Sequence, residues 1–152
     1  FTRSTFSGEI DVASIDTHNP DRDNHLRTGD FFDAAAHPKL TFRSTRIEAN
    51  GEGEYKVHGD LTMRGVTRPI ELSVEFNGVA KNPYGKTLSG LTARGTLNRK
   101  DFGVSFNAVL ETGGVAVSET VKLELDVEAI ADAPAVKAGE PARAAEASWD
   151  TA

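Results

Sequence analysis

The sequence predicts an all-β protein built from antiparallel strands. Three observations predict it: six runs carry apolar residues at alternate positions, short turns rich in Gly, Asn and Pro separate several of them, and only one segment has the signature of a helix start. A parallel sheet covered on both faces would show continuous apolar strands and long helical crossovers instead.

The first run places Phe6, Ile10 and Val12 on one face and Thr5, Ser7, Glu9 and Asp11 on the other. The single helix follows. Asn19 is suited to cap it and Pro20 to its first turn, so a short amphipathic helix from about Pro20 to Arg27 is expected, carrying Leu26, Phe31 and Phe32 towards the sheet. Leu40 and Phe42 open the second run after Pro38. Tyr55, Val57, Leu61 and Met63 mark the third, and Asn50-Gly51-Glu52-Gly53 joins it to the second as a hairpin. In the fourth, Ile70, Leu72, Val74 and Phe76 oppose Glu71, Ser73, Glu75 and Asn77. The fifth has Leu91, Ala93, Gly95 and Leu97 beyond the Asn82-Pro83-Tyr84-Gly85 turn. In the last, Val121, Leu123, Leu125 and Val127 alternate with Thr120, Lys122, Glu124, Asp126 and Glu128. One face of the sheet is therefore wet and the other apolar.

Composition bounds the function. A chain of 152 residues suits one domain, and 38% hydrophobic with 26% charged residues is ordinary for a globular protein. A net charge of −6 with scattered Lys and Arg argues against nucleic acid as a partner. No apolar run approaches the roughly 18 residues of a membrane-spanning helix, so no integral membrane segment is expected. Without cysteine there is no disulfide or thiolate site, and the compartment stays open between periplasm or exterior and cytoplasm.

No catalytic or metal-binding pattern is complete. The acids Asp21, Asp23, Asp30 and Asp33 with His18 and His25 suggest a metal site, yet a calcium loop begun at Asp21 has Leu26 and Phe32 where Gly and Glu are required. The four histidines lie 7, 12 and 21 residues apart, unlike helical zinc motifs. Neither a metal nor a cofactor is expected. Asp101-Phe102-Gly103 copies a kinase tripeptide without the other kinase elements, and no nucleophile elbow or phosphate loop occurs.

Three motifs carry a family resemblance: His18 to Asp33, Gly59-Asp60-Leu61-Thr62-Met63-Arg64-Gly65-Val66-Thr67-Arg68-Pro69, and Leu97-Asn98-Arg99-Lys100-Asp101-Phe102-Gly103-Val104. In this order they resemble the YceI family of lipocalin-like barrels, which bind polyisoprenoids and related lipids. The resemblance implies an antiparallel barrel around an apolar pore, a non-catalytic role in binding, sequestering or transporting a long-chain lipid, and no cofactor. Strand parity then names the expected pore lining: Phe6, Ile10, Val12, Leu40, Phe42, Tyr55, Val57, Leu72, Val74, Phe76, Leu91, Leu97, Phe106, Leu123 and Leu125. Enclosing roughly 500 Å² of ligand hydrocarbon would contribute about 12 kcal/mol before ordering costs. A small eight-stranded barrel can equally be filled by its own side chains, so the pattern also fits an interaction module with a solid core.

Arg22, His25 and Arg27 are the candidates for the ligand's polar head, because cations beside backbone donors suit a pyrophosphate or carboxylate. The bland alternative pairs them with Asp21, Asp23 and Asp30. A hydrolase or isomerase built on the Asp/His cluster around His25 is the rival reading. Family members usually begin with a Trp- and His-Ser-bearing segment that forms the first barrel strands. This sequence, opening at Phe1, does not supply it, so the chain reads as a piece of a longer protein whose barrel is open. Open edges invite pairing with another chain, which puts a homodimer among the expected partners. The domain is expected over 1–130, followed by an Ala- and Pro-rich disordered tail over 131–152 that contains Trp149, the only tryptophan.

Overall fold

A computed structural model describes residues 1–131. The strands are β1 (Ser7–Asp11), β2 (Lys39–Ala49), β3 (Glu54–Met63), β4 (Val66–Lys81), β5 (Thr87–Asn98) and β6 (Thr120–Ile130), and the helix is α1 (Pro20–Leu26). All six strands form one antiparallel sheet in chain order, a meander that curls into a half-barrel. Among the described residues β1 and β6 are not paired with each other, so the curl stays open, as expected from the sequence. The tail expected over 131–152, Trp149 included, lies outside the described residues beyond Ala131.

Cross-strand partners share a face, and the register therefore sorts the side chains. One row runs Ile47, Val57, Leu72, Gly95 and Leu123; the next runs Tyr55, Val74, Ala93 and Leu125; a third runs Phe76, Leu91 and Val127. These rows form the concave face. The opposite face carries cross-strand ion pairs such as Lys56–Glu71 at 3.2 Å, His58–Glu48 at 3.0 Å and Arg94–Glu124 at 3.1 Å.

The second run departs from simple alternation. A register shift between Ser44 and Arg46 moves the inward parity from even to odd, so Phe42 and Ile47 point to the same side. The first run is shorter than expected: β1 ends at Asp11, and Val12 opens a 3₁₀ turn over Val12–Ser14.

The Gly59–Pro69 motif holds two positions whose chemistry the backbone requires. Met63 pairs with Val66 across a two-residue loop in which both Arg64 and Gly65 have positive φ, at 52° and 72°. A primed hairpin turn needs that geometry. Arg64 also donates to the carbonyl of Phe31 at 2.9 Å, which ties the hairpin to the loop after α1. At Gly59 a Cβ would lie 2.3 Å from the Phe42 ring, so only glycine lets that ring cross the strand.

Candidate functional site: the concave apolar face

The concave face divides into two halves. In the first, Phe31, Leu61, Met63, Phe102 and Val104 are buried together, with Leu26, Phe32, Leu40, Leu97, Phe106 and Val117 packed around them. The cover comes from α1, from the loop behind it and from the 3₁₀ turn Arg99–Phe102 after β5. Phe102 is 1% exposed, and this role accounts for the kinase-like tripeptide. In the second half, Ile47, Val57, Leu72, Val74 and Ala93 form a buried floor. Around it Phe6, Tyr55, Leu91, Leu123 and Leu125 are only half-buried, and Val127 is exposed. Phe1 stacks on Tyr55 with ring centroids 4.0 Å apart and lies 5.3 Å from Phe6 and 5.7 Å from Phe76.

The first half is held by polar anchors that the sequence does not advertise. Arg99 is 4% exposed and has no carboxylate partner among the described residues. Its guanidinium donates to the carbonyls of Ser118 at 2.8 Å, Val104 at 2.8 Å and Val117 at 3.3 Å, strapping both ends of the 103–118 loop to β5. Charge-assisted bonds to carbonyl dipoles offset the cost of burying that charge. Asn98 caps the turn by accepting from the Lys100 N–H at 2.9 Å.

Around α1 the side chains hold the chain to itself. Asn19 accepts from the Arg22 N–H at 3.1 Å, as an N-cap should. The Asp23 carboxylate is buried and accepts from the Thr17 N–H at 2.9 Å and the Thr17 hydroxyl at 2.5 Å. Those bonds, first of all the hydroxyl's, together with the nearby charges of Arg27 and Arg22, lower the Asp23 pKa below the ordinary aspartate value.

The expected head-group trio is drawn into the same framework. Arg22 donates to the Thr17 hydroxyl at 2.8 Å and the Thr17 carbonyl at 2.9 Å. Arg27 donates to the carbonyls of Ala13 at 3.1 Å and Ile15 at 2.6 Å. His25 Nε2 lies 2.8 Å from Asp30 Oδ2, and its ring stands edge-on to Phe31 and Phe106 with centroids 5.1 Å and 4.9 Å away. The acids do not converge: no group of three His, Cys, Asp or Glu among the described residues could hold a metal ion.

Of the expected pore residues, Phe6, Tyr55, Val57, Leu72, Val74, Leu91, Leu123 and Leu125 meet in the second half, Leu40, Leu97 and Phe106 lie in the first, and Phe42 touches both. Phe76 flanks the second half beside Phe1. Ile10 pairs with Leu40 and shares its face, but it is 50% exposed because β1 is an edge strand. Val12 is buried in neither cluster. Sequence reasoning missed Ile47, hidden by the register shift, and Phe102 and Val104, which come from a segment without periodicity. Two surface hollows lie elsewhere. One of about 510 Å³ on the convex side is lined by Ser7, Glu9, Thr41, Arg43, Asp60 and Thr62, and one of about 240 Å³ lies on the β4–β5 hairpin.

A curled antiparallel sheet with a half-buried apolar inner face has the lipocalin-like form of a binding protein. The chain belongs to the YceI-like domain family, whose sequence profile matches residues 1–129. It is 47% identical over 117 residues to a UPF0312 protein of Staphylococcus epidermidis, covering 76% of this chain and 66% of that protein's length. A UPF0312 protein of Staphylococcus aureus is 45% identical over 129 residues, with 84% of this chain and 72% of the relative covered. Among solved structures, the YceI protein of Campylobacter jejuni matches with a TM-score of 0.74 at 32% identity, over 86% of this chain and 74% of that one. BcnA of Burkholderia cenocepacia matches at 0.70 and 26% identity, over 84% and 76%. The family is a binding fold and is not known for catalysis.

Proposed function

We propose that the chain binds a long-chain apolar lipid, polyisoprenoid or fatty-acid-like, along the second half of the concave face, and that it carries or sequesters that lipid. The observation behind this reading is the set of half-buried side chains Tyr55, Leu91, Leu123 and Leu125 around the buried aliphatics of the same face. A partly exposed apolar surface on the inside of a curled sheet is the kind that a ligand covers.

The packing also favours one path for the hydrocarbon over another. A chain threaded towards Arg22, His25 and Arg27 would have to displace Phe31, Leu61, Met63 and Phe102, which are closely packed. We therefore run the hydrocarbon through the open half, with its polar end at the rim beyond Phe76 and Val127. Contact from one side covers roughly half of an enclosed ligand, or about 6 kcal/mol before ordering costs, which is short of the ~8 kcal/mol of micromolar binding. These residues alone thus suit exchange of lipid better than storage.

Lipid extraction and mass spectrometry of the purified protein, with titration of a fluorescent fatty acid or prenyl probe, tests the reading. Wild type and the R22A/R27A variant should bind alike, and L123D/L125D should lose binding. Loss of binding in R22A/R27A with retained fold would return the head group to the helix. An empty extract and no probe binding would support the interaction module, and turnover of an added lipid ester would support the enzyme.

A further inference from the structure

We propose that the tip of the β4–β5 hairpin is a docking finger for an anionic lipid surface. This inference rests on the lipid-binding reading for its purpose but not for its test. β3 begins at Glu54 opposite Glu75, whereas β4 continues to Lys81, so the hairpin outruns the β2–β3 turn and projects beyond it with the end of β6 alongside. Its tip is Lys81-Asn82-Pro83-Tyr84-Gly85-Lys86.

The turn is built to hold its shape. The Asn82 side-chain oxygen accepts from the N–H groups of Tyr84 at 3.0 Å and Lys86 at 2.9 Å, and the Asn82 N–H donates to the Lys86 carbonyl at 3.0 Å. Tyr84 is thereby presented to solvent at 88% exposure, and Val79, on the concave side of the hairpin, is 64% exposed. Lys81 and Lys86 flank the tyrosine and are exposed. Among the described residues neither has a carboxylate within ion-pairing distance, unlike Lys39, Lys56 and Lys100. Among the described residues, the nearest acid along the hairpin's β6 side is Glu128, set back opposite Gly90.

An amphipathic aromatic between two free cations matches the chemistry of a membrane interface, where tyrosine sits at head-group level and lysine meets lipid phosphate. The chain as a whole carries −6 and is repelled by an anionic surface, so approach with this cationic tip foremost is favoured over approach by its acidic faces. The tip lies at the end of the sheet beyond the Phe76, Leu91 and Val127 row, with the Val79, Ser89 and Ala129 row between, so docking would turn that end of the concave face towards the bilayer.

Co-sedimentation of the full chain with vesicles of equal phosphatidylglycerol and phosphatidylcholine, against pure phosphatidylcholine, tests the proposal. Wild type should partition onto the anionic vesicles alone. At roughly fivefold per lysine near an anionic surface, K81A/K86A should lower partitioning about thirtyfold. Y84A should lower it further, whereas K122E, a charge change at the far end of β6, should alter it much less than K81E/K86E does. Thermal unfolding checks that each variant is folded. No anionic preference, or equal losses from K122E and K81E/K86E, would overturn the finger. Uptake of a detergent-dispersed lipid probe separates the two ideas. Uptake without sedimentation removes the finger and leaves the lipid reading, and sedimentation without uptake does the reverse.

Discussion

The two halves of the concave face draw on neighbouring stretches of one sheet, yet among the described residues one is covered by loops and the other keeps a fringe of half-exposed side chains around its buried floor. The difference lies in what crosses them. Over the first half the chain folds back twice, once through α1 and its following loop and once through the 3₁₀ turn and the 103–118 loop, and Arg99 and Arg64 pin those segments by their carbonyls. Over the second half, among the described residues, only the N-terminal Phe1 and Phe6 add cover from outside the strands. Whether a stretch of curled sheet becomes a sealed core or keeps an exposed apolar surface is thus decided by its connections and not by its strands.

That contrast can be broken from the solid side first. Phe102→Ala should cost about 4 kcal/mol, read by denaturant unfolding, because a fully buried ring leaves a cavity that the strapped loop cannot fill. Arg99→Met should cost roughly 3 kcal/mol by leaving the Val104, Val117 and Ser118 carbonyls short of donors, and should make the 103–118 loop the first region to exchange amide hydrogens. In the open half the order reverses. Leu123→Ala should cost only about 1 kcal/mol of stability, since a half-exposed side chain loses little burial, while lowering probe affinity several-fold.

The smallest expected effect is one of pH. The Asp23 pKa is lowered in the folded protein, so its stabilisation is fully present above the unfolded-state value of about 3.9 and is lost as pH falls through the lowered folded value. Asp23→Asn should therefore flatten acid unfolding below about pH 4 while leaving the titration of the open trough by lipid unchanged at pH 7. A matching change in lipid affinity would show that the two halves are coupled.

Much of this was legible beforehand because a half-buried strand must alternate. The rows through Leu72, Val74, Leu123 and Leu125, the Asn19–Pro20 helix start and the Arg64-Gly65 turn follow from local chemistry. Ile47 was not legible, because a single bulge inverts parity and leaves no mark in composition. Nor was the duty of Arg22 and Arg27: beside so many aspartates they read as ligand cations or salt-bridge partners, but the 13–17 loop offers carbonyls, which no sequence pattern announces.

By itself the sequence determined the antiparallel meander, the apolar inner face, the single helix and the family, since period-2 alternation and turn residues act over a few neighbours. What local patterning did not foretell is that one half of the inner face is filled by segments from 26–34 and 99–118, whereas the other half keeps half-exposed side chains among the described residues. Those outcomes depend on which distant segments lie across the sheet, and long-range packing leaves no periodic trace in the chain.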